Sequence, residues 1–125
     1  MSSSWAPPFA SREVISDYEP LRAYLEVARR KGREDLIEKV LLKQEDFLFL
    51  STMVGRGLSL LEVISELKSR LMERVDGEVA REAFNTIGLD VGSELARERL
   101  AYILAGWLLE AGKHWGILTF KKLPL

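Results

Sequence analysis

The chain has 125 residues, of which 47% are hydrophobic and 30% are charged, and its formal net charge is −1. This length and composition are typical of one globular domain with a single core, and the near-neutral charge excludes a protein that grips nucleic acid with its whole surface. The chain has no cysteine, which excludes disulfides, thiolate metal ligands and a cysteine nucleophile.

The first 16 residues are predicted to form an extended arm, followed by one helical-bundle domain over residues 17–125. In the arm, Trp5 and Phe9 flank two consecutive prolines, and proline favours extended backbone over helix. A solvated tail rarely needs two large aromatic side chains. We therefore expect Trp5 and Phe9 to pack on the bundle or on a neighbouring subunit.

Two helices are predicted in the first half of the bundle. The first begins at Pro20, a residue suited to the first turn of a helix, and Gly32 ends it. The second runs from about Glu34 to Val54 and is ended by Gly55-Arg56-Gly57. The positions predicted to face the core are Leu21, Tyr24, Leu25 and Ala28 in the first helix, and Leu36, Ile37, Val40, Leu41, Phe47, Leu48 and Ser51 in the second.

The third helix has the best-marked start in the chain. Ser59 and Glu62 are spaced as a capping box, and Leu58 and Val63 are spaced as its hydrophobic staple. The apolar face of this helix continues to about Val75. An Asp-Gly pair then separates it from a shorter fourth helix, predicted over about residues 78–87.

The fifth helix is predicted from Ser93 to Ala111, with Gly112 behind it. It is apolar on most sides, so we expect it to be the central helix of the bundle or part of an interface. The residues that make it apolar are Leu95, Leu100, Ile103, Leu104, Trp107 and Leu108. The sequence therefore predicts an all-α fold: a compact bundle of about five helices with an extended N-terminal arm and a short extended C-terminal tail. The longest apolar run is about half a membrane span, and no transmembrane segment is expected.

Histidine chemistry would have to involve His114, the only histidine. Glu110 lies four residues earlier and would share its face of a helix, which makes half of a metal site. No Glu-x-x-His motif supplies the other half, and Gly112 predicts that the helix has already ended. We therefore expect no metal and a histidine that packs near the helix end.

Two further patterns do not indicate catalysis. Gly55-x-Gly57 lacks the preceding strand and the third glycine of a dinucleotide fingerprint, and also the Gly-Lys-Ser/Thr of a P-loop. The acidic pairs Glu34-Asp35 and Glu45-Asp46 diverge by about 100° on a helix and are expected to face solvent. The chain is therefore predicted not to be an enzyme and to use no cofactor or small-molecule substrate.

The most informative charge feature is a basic cluster made of Arg22, Arg29, Arg30, Lys31 and Arg33. Residues 22–43 carry seven basic and four acidic groups, whereas residues 44–92 carry five basic and nine acidic groups. The cluster either complements the end of a helix on a solvated surface or contacts phosphates. No aromatic stacking platform accompanies it, so any nucleic acid is expected to be held by its backbone, without reading bases.

A helix-turn-helix is a weaker candidate for nucleic-acid binding. The segment from Val79 to Ala83, followed by a new helix at Ser93, has the general form of that motif. The loop from Gly88 to Gly92 is too long for its tight turn, and the following helix is too apolar to lie in a groove.

The overall plan resembles the major capsid proteins of filamentous and rod-shaped archaeal viruses. The features that carry this resemblance are the aromatic, proline-bearing arm, the basic first helix ending Arg29-Arg30-Lys31, and the apolar helix around Trp107. They cover the chain as an outline and include no diagnostic motif. The resemblance implies dimers that wrap double-stranded DNA in a helical virion. Such proteins tend to be basic, so this slightly acidic chain would need charge from a related partner subunit.

We therefore predict a structural subunit that forms homo- or hetero-oligomers and packages nucleic acid through phosphate contacts, located in a virion. The alternative is a small cytoplasmic interaction or regulatory module that binds protein through its last helix and touches no nucleic acid. The residues predicted at subunit interfaces are Trp5, Phe9, Trp107, Trp115 and Phe120. The single glutamine and single asparagine further predict a thermophilic source.

Overall fold

The computed structural model describes residues 19–114, and in this range six α-helices surround one hydrophobic core. They are α1 (Glu19–Arg30), α2 (Glu34–Val40), α3 (Gln44–Gly55), α4 (Leu60–Met72), α5 (Gly77–Thr86) and α6 (Ser93–His114). This part of the chain contains no strand, which confirms the predicted all-α bundle. The predicted arm and the predicted C-terminal tail lie outside the described residues.

The longest helix, α6, lies at the centre of the bundle. It packs against α3, α4 and α5, while α1 packs on α5 and also contacts α2. Its buried side chains are alanines and leucines together with Trp107. The last helix was expected to be either central or part of an interface, and among the described residues it is the central helix. Its Leu95 side chain is 43% exposed. No described helix combines the length and apolar character needed to cross a membrane.

The predicted second helix is in fact two helices, because the chain leaves helical geometry at Leu41–Lys43. Lys43 stabilises both ends of this break. Its Nζ donates to the carbonyl oxygens of Glu38 and Leu41, at 2.9 and 3.1 Å, and so satisfies the end of α2. Its backbone N–H donates to Asp46 Oδ2 at 2.7 Å, which fixes the first turn of α3.

The restart of α3 at Gln44 also changes which of its residues face the core. The buried positions are Asp46, Phe47, Leu50, Met53 and Val54, which follow helical spacing from the new start. Leu48 and Ser51, predicted to be inward, are exposed. Those two predictions were wrong because they counted the helical phase from Glu34.

The predicted capping box is confirmed. The Ser59 hydroxyl accepts the backbone N–H of Glu62 at 3.2 Å, and the Glu62 carboxylate accepts the backbone N–H of Ser59 at 2.9 Å. The staple residue Val63 is fully buried, and Leu58 packs against the core. An N-cap of this kind typically stabilises a helix by about 1 kcal/mol, so the local sequence alone determines where α4 begins.

A buried tyrosine joins the first helix to the start of α5. The Tyr24 hydroxyl accepts the backbone N–H of Asp76 at 2.9 Å, and the Asp76 side chain caps α5 by accepting the N–H of Val79 at 3.0 Å. Burial of Tyr24 raises the pKa of its phenol to about 12. This contact joins two segments that are far apart in the sequence, and it fixes the start of α5 beside α1.

Candidate functional site

The predicted basic cluster is exposed on α1 and the loop that follows it. Arg22 and Arg29 are seven residues apart and therefore share one face of α1, with Arg30 beside them. None of these three arginines forms an ion pair with another residue in the range 19–114. Glu19 and Glu26 lie on the same exposed side, so this part of the surface carries three basic groups and two acidic groups.

The other two members of the cluster are neutralised by carboxylates. Lys31 pairs with Glu82 of α5 at 3.3 Å. Arg33 binds Asp35 with two hydrogen bonds, from Nε at 3.1 Å and from a terminal nitrogen at 3.0 Å. The hydrogen bond from Arg33 holds the pKa of the Asp35 carboxyl below its usual range. Lys31 and Arg33 therefore have less charge to offer a phosphate than the three arginines of α1.

The structure corrects one of the predicted interface residues. Trp107 is only 3% exposed and packs in the core of its own chain, because it lies on the side of α6 that faces the bundle. It therefore presents almost no surface to a second subunit. The remaining predicted interface residues, Trp5, Phe9, Trp115 and Phe120, lie outside the described residues.

The predicted end of the last helix is also wrong. Gly112 lies inside α6, which continues to His114, so Glu110 and His114 stand one turn apart on the same helix. Packing overrides the helix-breaking tendency of glycine here, since Ala111 and Gly112 are both buried. Glu110 is exposed, and the described residues contain no group of three or more side chains that could hold a metal ion.

The two acidic pairs differ in their surroundings. Glu34 and Asp35 are exposed, as predicted, but the prediction fails for the second pair, because Asp46 is completely buried while Glu45 is exposed. The connection between α5 and α6 spans residues 87–92, which confirms the long loop that argues against a helix-turn-helix.

Asp46 is the centre of a charge cluster that the sequence patterns did not reveal. Arg74 donates both terminal nitrogens to its two carboxylate oxygens, one of them at 2.9 Å, and Arg70 donates Nε to Oδ1 at 3.4 Å. Burial raises the pKa of Asp46, but the hydrogen bonds from Arg74 and from the Lys43 backbone outweigh it and hold the pKa below its usual range. The cluster ties the start of α3 to the end of α4.

An open cleft of about 400 Å³ lies beside this cluster. We call it the charged cleft, and its lining residues are Lys39, Lys43, Glu45, Arg70, Glu73 and Arg74. Every one of them is charged, and four are basic. The Arg70 guanidinium also stacks on Phe49, with its carbon 4.5 Å from the ring centre, so its plane is held by an aromatic surface as well as by Asp46.

The edge where α4 meets α6 exposes apolar surface. Leu61 is 79% exposed and Tyr102 is 46% exposed. Lys68 lies two turns after Leu61 on the same side of α4; it pairs with Glu98 at 3.3 Å, and its Nζ lies 5.6 Å from the centre of the Tyr102 ring. Leu61 and Tyr102 therefore lie along the same edge, which we call the α4–α6 edge.

No protein-family model, no curated protein and no solved structure matches this chain.

Proposed function

We propose that this protein is a structural subunit that self-associates and binds the backbone of nucleic acid without reading its sequence. The observation that carries the proposal is the group of three arginines on α1, namely Arg22, Arg29 and Arg30. They are exposed, and no described carboxylate neutralises them through an ion pair. A guanidinium in this condition keeps its donors for a phosphate oxygen.

The surroundings of the three arginines favour phosphate contacts over base recognition. The helix that carries them packs its buried side on α5 and α2, so only its basic side is open to a ligand. Glu19 and Glu26 on the same side disfavour a site that gathers several phosphates, which fits single backbone contacts spaced along a duplex. The resemblance in outline to archaeal virus capsid proteins extends the proposal to a virion coat that packages double-stranded DNA.

Neutralising the three arginines should make DNA binding less dependent on salt. Binding of the full chain to a DNA duplex of arbitrary sequence is measured at several salt concentrations. The single variants are Arg22→Gln, Arg29→Gln and Arg30→Gln. Each substitution is expected to reduce the slope of log K against log salt by about 0.9 if the arginine it removes binds a phosphate. Arg99→Gln on α6 is the matched control, because it removes one exposed arginine outside the cluster.

Two outcomes would reject the nucleic-acid part of the proposal. One is an unchanged slope in the triple variant, which carries Arg22→Gln, Arg29→Gln and Arg30→Gln together. The other is a full chain that has no affinity for DNA at low salt. Electron microscopy and nuclease protection on the same samples test the coat function directly. Filaments that shield DNA from nuclease are expected, and soluble particles that leave DNA unprotected would contradict a coat.

Self-association is expected to involve both the arm and the exposed apolar surface. Deleting residues 1–10 removes Trp5 and Phe9 and should reduce assembly, as measured by light scattering, while the helical circular dichroism signal persists. Exposed aromatic and leucine side chains are typical of subunit contacts. A full chain that stays strictly monomeric at high concentration would refute self-association.

The alternative function, a protein-interaction module without nucleic-acid binding, is favoured by the α4–α6 edge. Most of α6 is buried within the bundle, so a partner protein would meet only its exposed residues, chiefly Leu95 and Tyr102, together with Leu61 of α4. The arginine variants separate the two functions: in an interaction module, neutralising Arg29 and its neighbours leaves partner binding unchanged.

A further inference from the structure

We propose that the charged cleft is a second anion site, which binds a small phosphate-bearing ligand: inorganic phosphate or a phosphomonoester. It is a different surface from the arginines of α1. The cleft is lined by side chains of α2, α3 and α4 and of the turns that follow α2 and α4.

The charges of the cleft favour an anion over a cation. Four basic side chains line it against two acidic ones, Glu45 and Glu73, and the buried Asp46 beneath it adds one further negative charge. One positive charge therefore remains uncompensated. A phosphomonoester carries about −1.5 to −2 charges at neutral pH, so it gains more from this excess than a carboxylate does.

Arg70 supplies donors in a fixed orientation. Its Nε is directed to Asp46, and its guanidinium stacks on Phe49, while its two terminal nitrogens make no hydrogen bond to any residue in the range 19–114. Arg74, in contrast, directs both terminal nitrogens to Asp46. Arg70 thus keeps a pair of parallel donors, and its orientation is set before the ligand arrives.

Lysines line the cleft as well. Lys43 is held in place through the carbonyl oxygens of Glu38 and Leu41. Lys39, one turn before the break between α2 and α3, forms no ion pair with a described residue. Its ammonium group is therefore free to approach an anion bound at Arg70. A cleft of about 400 Å³ has room for a phosphate with a small organic substituent.

Arg70 and Arg74 are poor positions for a test, because both also hold Asp46 and replacing either would destabilise the fold. Lys39 and Glu73 are better, since both are exposed and neither side chain makes a hydrogen bond or ion pair with a described residue. Lys39→Gln removes a favourable charge, and Glu73→Gln removes an unfavourable one. The two variants should therefore move the affinity in opposite directions.

The experiment is isothermal titration of the full chain with inorganic phosphate and with glycerol phosphate, at constant ionic strength. Saturable binding is expected, weakened about fivefold by Lys39→Gln and strengthened by Glu73→Gln, the size expected for one charge at a protein surface. Arg99→Gln and the triple arginine variant of α1 should leave it unchanged. Tighter binding of the ester identifies a phosphomonoester as the ligand, and equal affinities identify free phosphate.

Three results would overturn the proposal: no saturable binding of either phosphate, an equal response to acetate at the same ionic strength, or the same affinity in Lys39→Gln and Glu73→Gln. The proposal does not depend on nucleic-acid binding. If DNA binding fails while small phosphates bind as described, the function proposed for α1 is wrong and the cleft stands. If DNA binds as described while small phosphates do not, only the anion site proposed in the cleft is wrong.

Discussion

Replacing Asp46 by alanine is expected to lower the free energy of unfolding by about 3 kcal/mol, the low end of the range for breaking a buried ion pair. The low end applies because Arg70 and Arg74 are themselves 32% and 17% exposed, so water can partly solvate them once the carboxylate is gone. The substitution leaves two guanidinium groups close together without their anion. It also leaves the backbone N–H of Lys43 without its acceptor.

The matched control for this prediction is Asp35→Ala. Asp35 also accepts two hydrogen bonds from one arginine, but both groups are exposed, and exposed pairs contribute little to stability. Urea unfolding followed by circular dichroism at neutral pH measures both variants. Equal losses of stability for Asp46→Ala and Asp35→Ala would mean that the buried cluster stabilises the fold no more than a surface pair.

The pH dependence gives an independent check on Asp46. Its pKa is lower in the folded protein than in the unfolded chain, where it is about 4. The unfolded chain therefore takes up the proton first as the pH falls. The stability contributed by Asp46 is present above about pH 4 and is lost as the pH falls through the folded-state value. Asp46→Asn should lose less stability than the wild type over that range.

The sequence predicted the helices whose ends have local signals. Pro20 and Gly32 mark the ends of α1; Gly32 adopts a positive φ of 71°, a conformation that favours glycine. Ser59 and Glu62 mark the start of α4. In each case the deciding interaction lies within a few residues.

The errors have two causes: a helix break whose short-range hydrogen bonds have no recognisable sequence signal, and packing against distant parts of the chain. No glycine or proline marks the break at Leu41–Lys43, and the break is stabilised by Lys43 through hydrogen bonds to α2 and α3. Gly112 stays helical because α6 is packed on several sides. The helical spacing that places Asp46 with Leu50 and Met53 would have revealed a buried acid, but only after the true start of α3 was known.

The basic cluster was predictable in composition but not in detail. Five basic residues within twelve positions are visible in the sequence. Which of them are neutralised is decided by Glu82, which comes from another helix, and by the conformation of the loop that brings Arg33 onto Asp35. The charged cleft was not predictable at all, because α2, α3 and α4 supply its residues and the sequence does not specify how those helices pack.

Stability at alkaline pH is expected to depend on Tyr24. Its pKa is about 12 in the folded protein against an ordinary value of 10.0, because burial disfavours the phenolate and the nearby Asp76 carboxylate repels it, despite the hydrogen bond from the Asp76 N–H. The unfolded chain therefore releases this proton first. The stability that the protonated Tyr24 contributes is complete below about pH 10 and is lost as the pH rises towards 12. A shift of about two units corresponds to about 3 kcal/mol.

Tyr24→Phe isolates this effect from the titration of lysines in the same range. At neutral pH the variant should lose about 1 kcal/mol, because the N–H of Asp76 no longer has its acceptor. Between pH 9 and pH 12 its stability should then fall by about 2 kcal/mol less than that of the wild type, because the folded-state phenol is only half ionised at pH 12. Tyr102→Phe is the control, since Tyr102 is exposed on α6 and should leave the wild-type curve unchanged. Parallel curves for the wild type and Tyr24→Phe would show that the buried hydroxyl does not control alkaline unfolding. Diverging curves would show that ionisation of Tyr24, at the contact between α1 and the start of α5, destabilises the bundle at high pH.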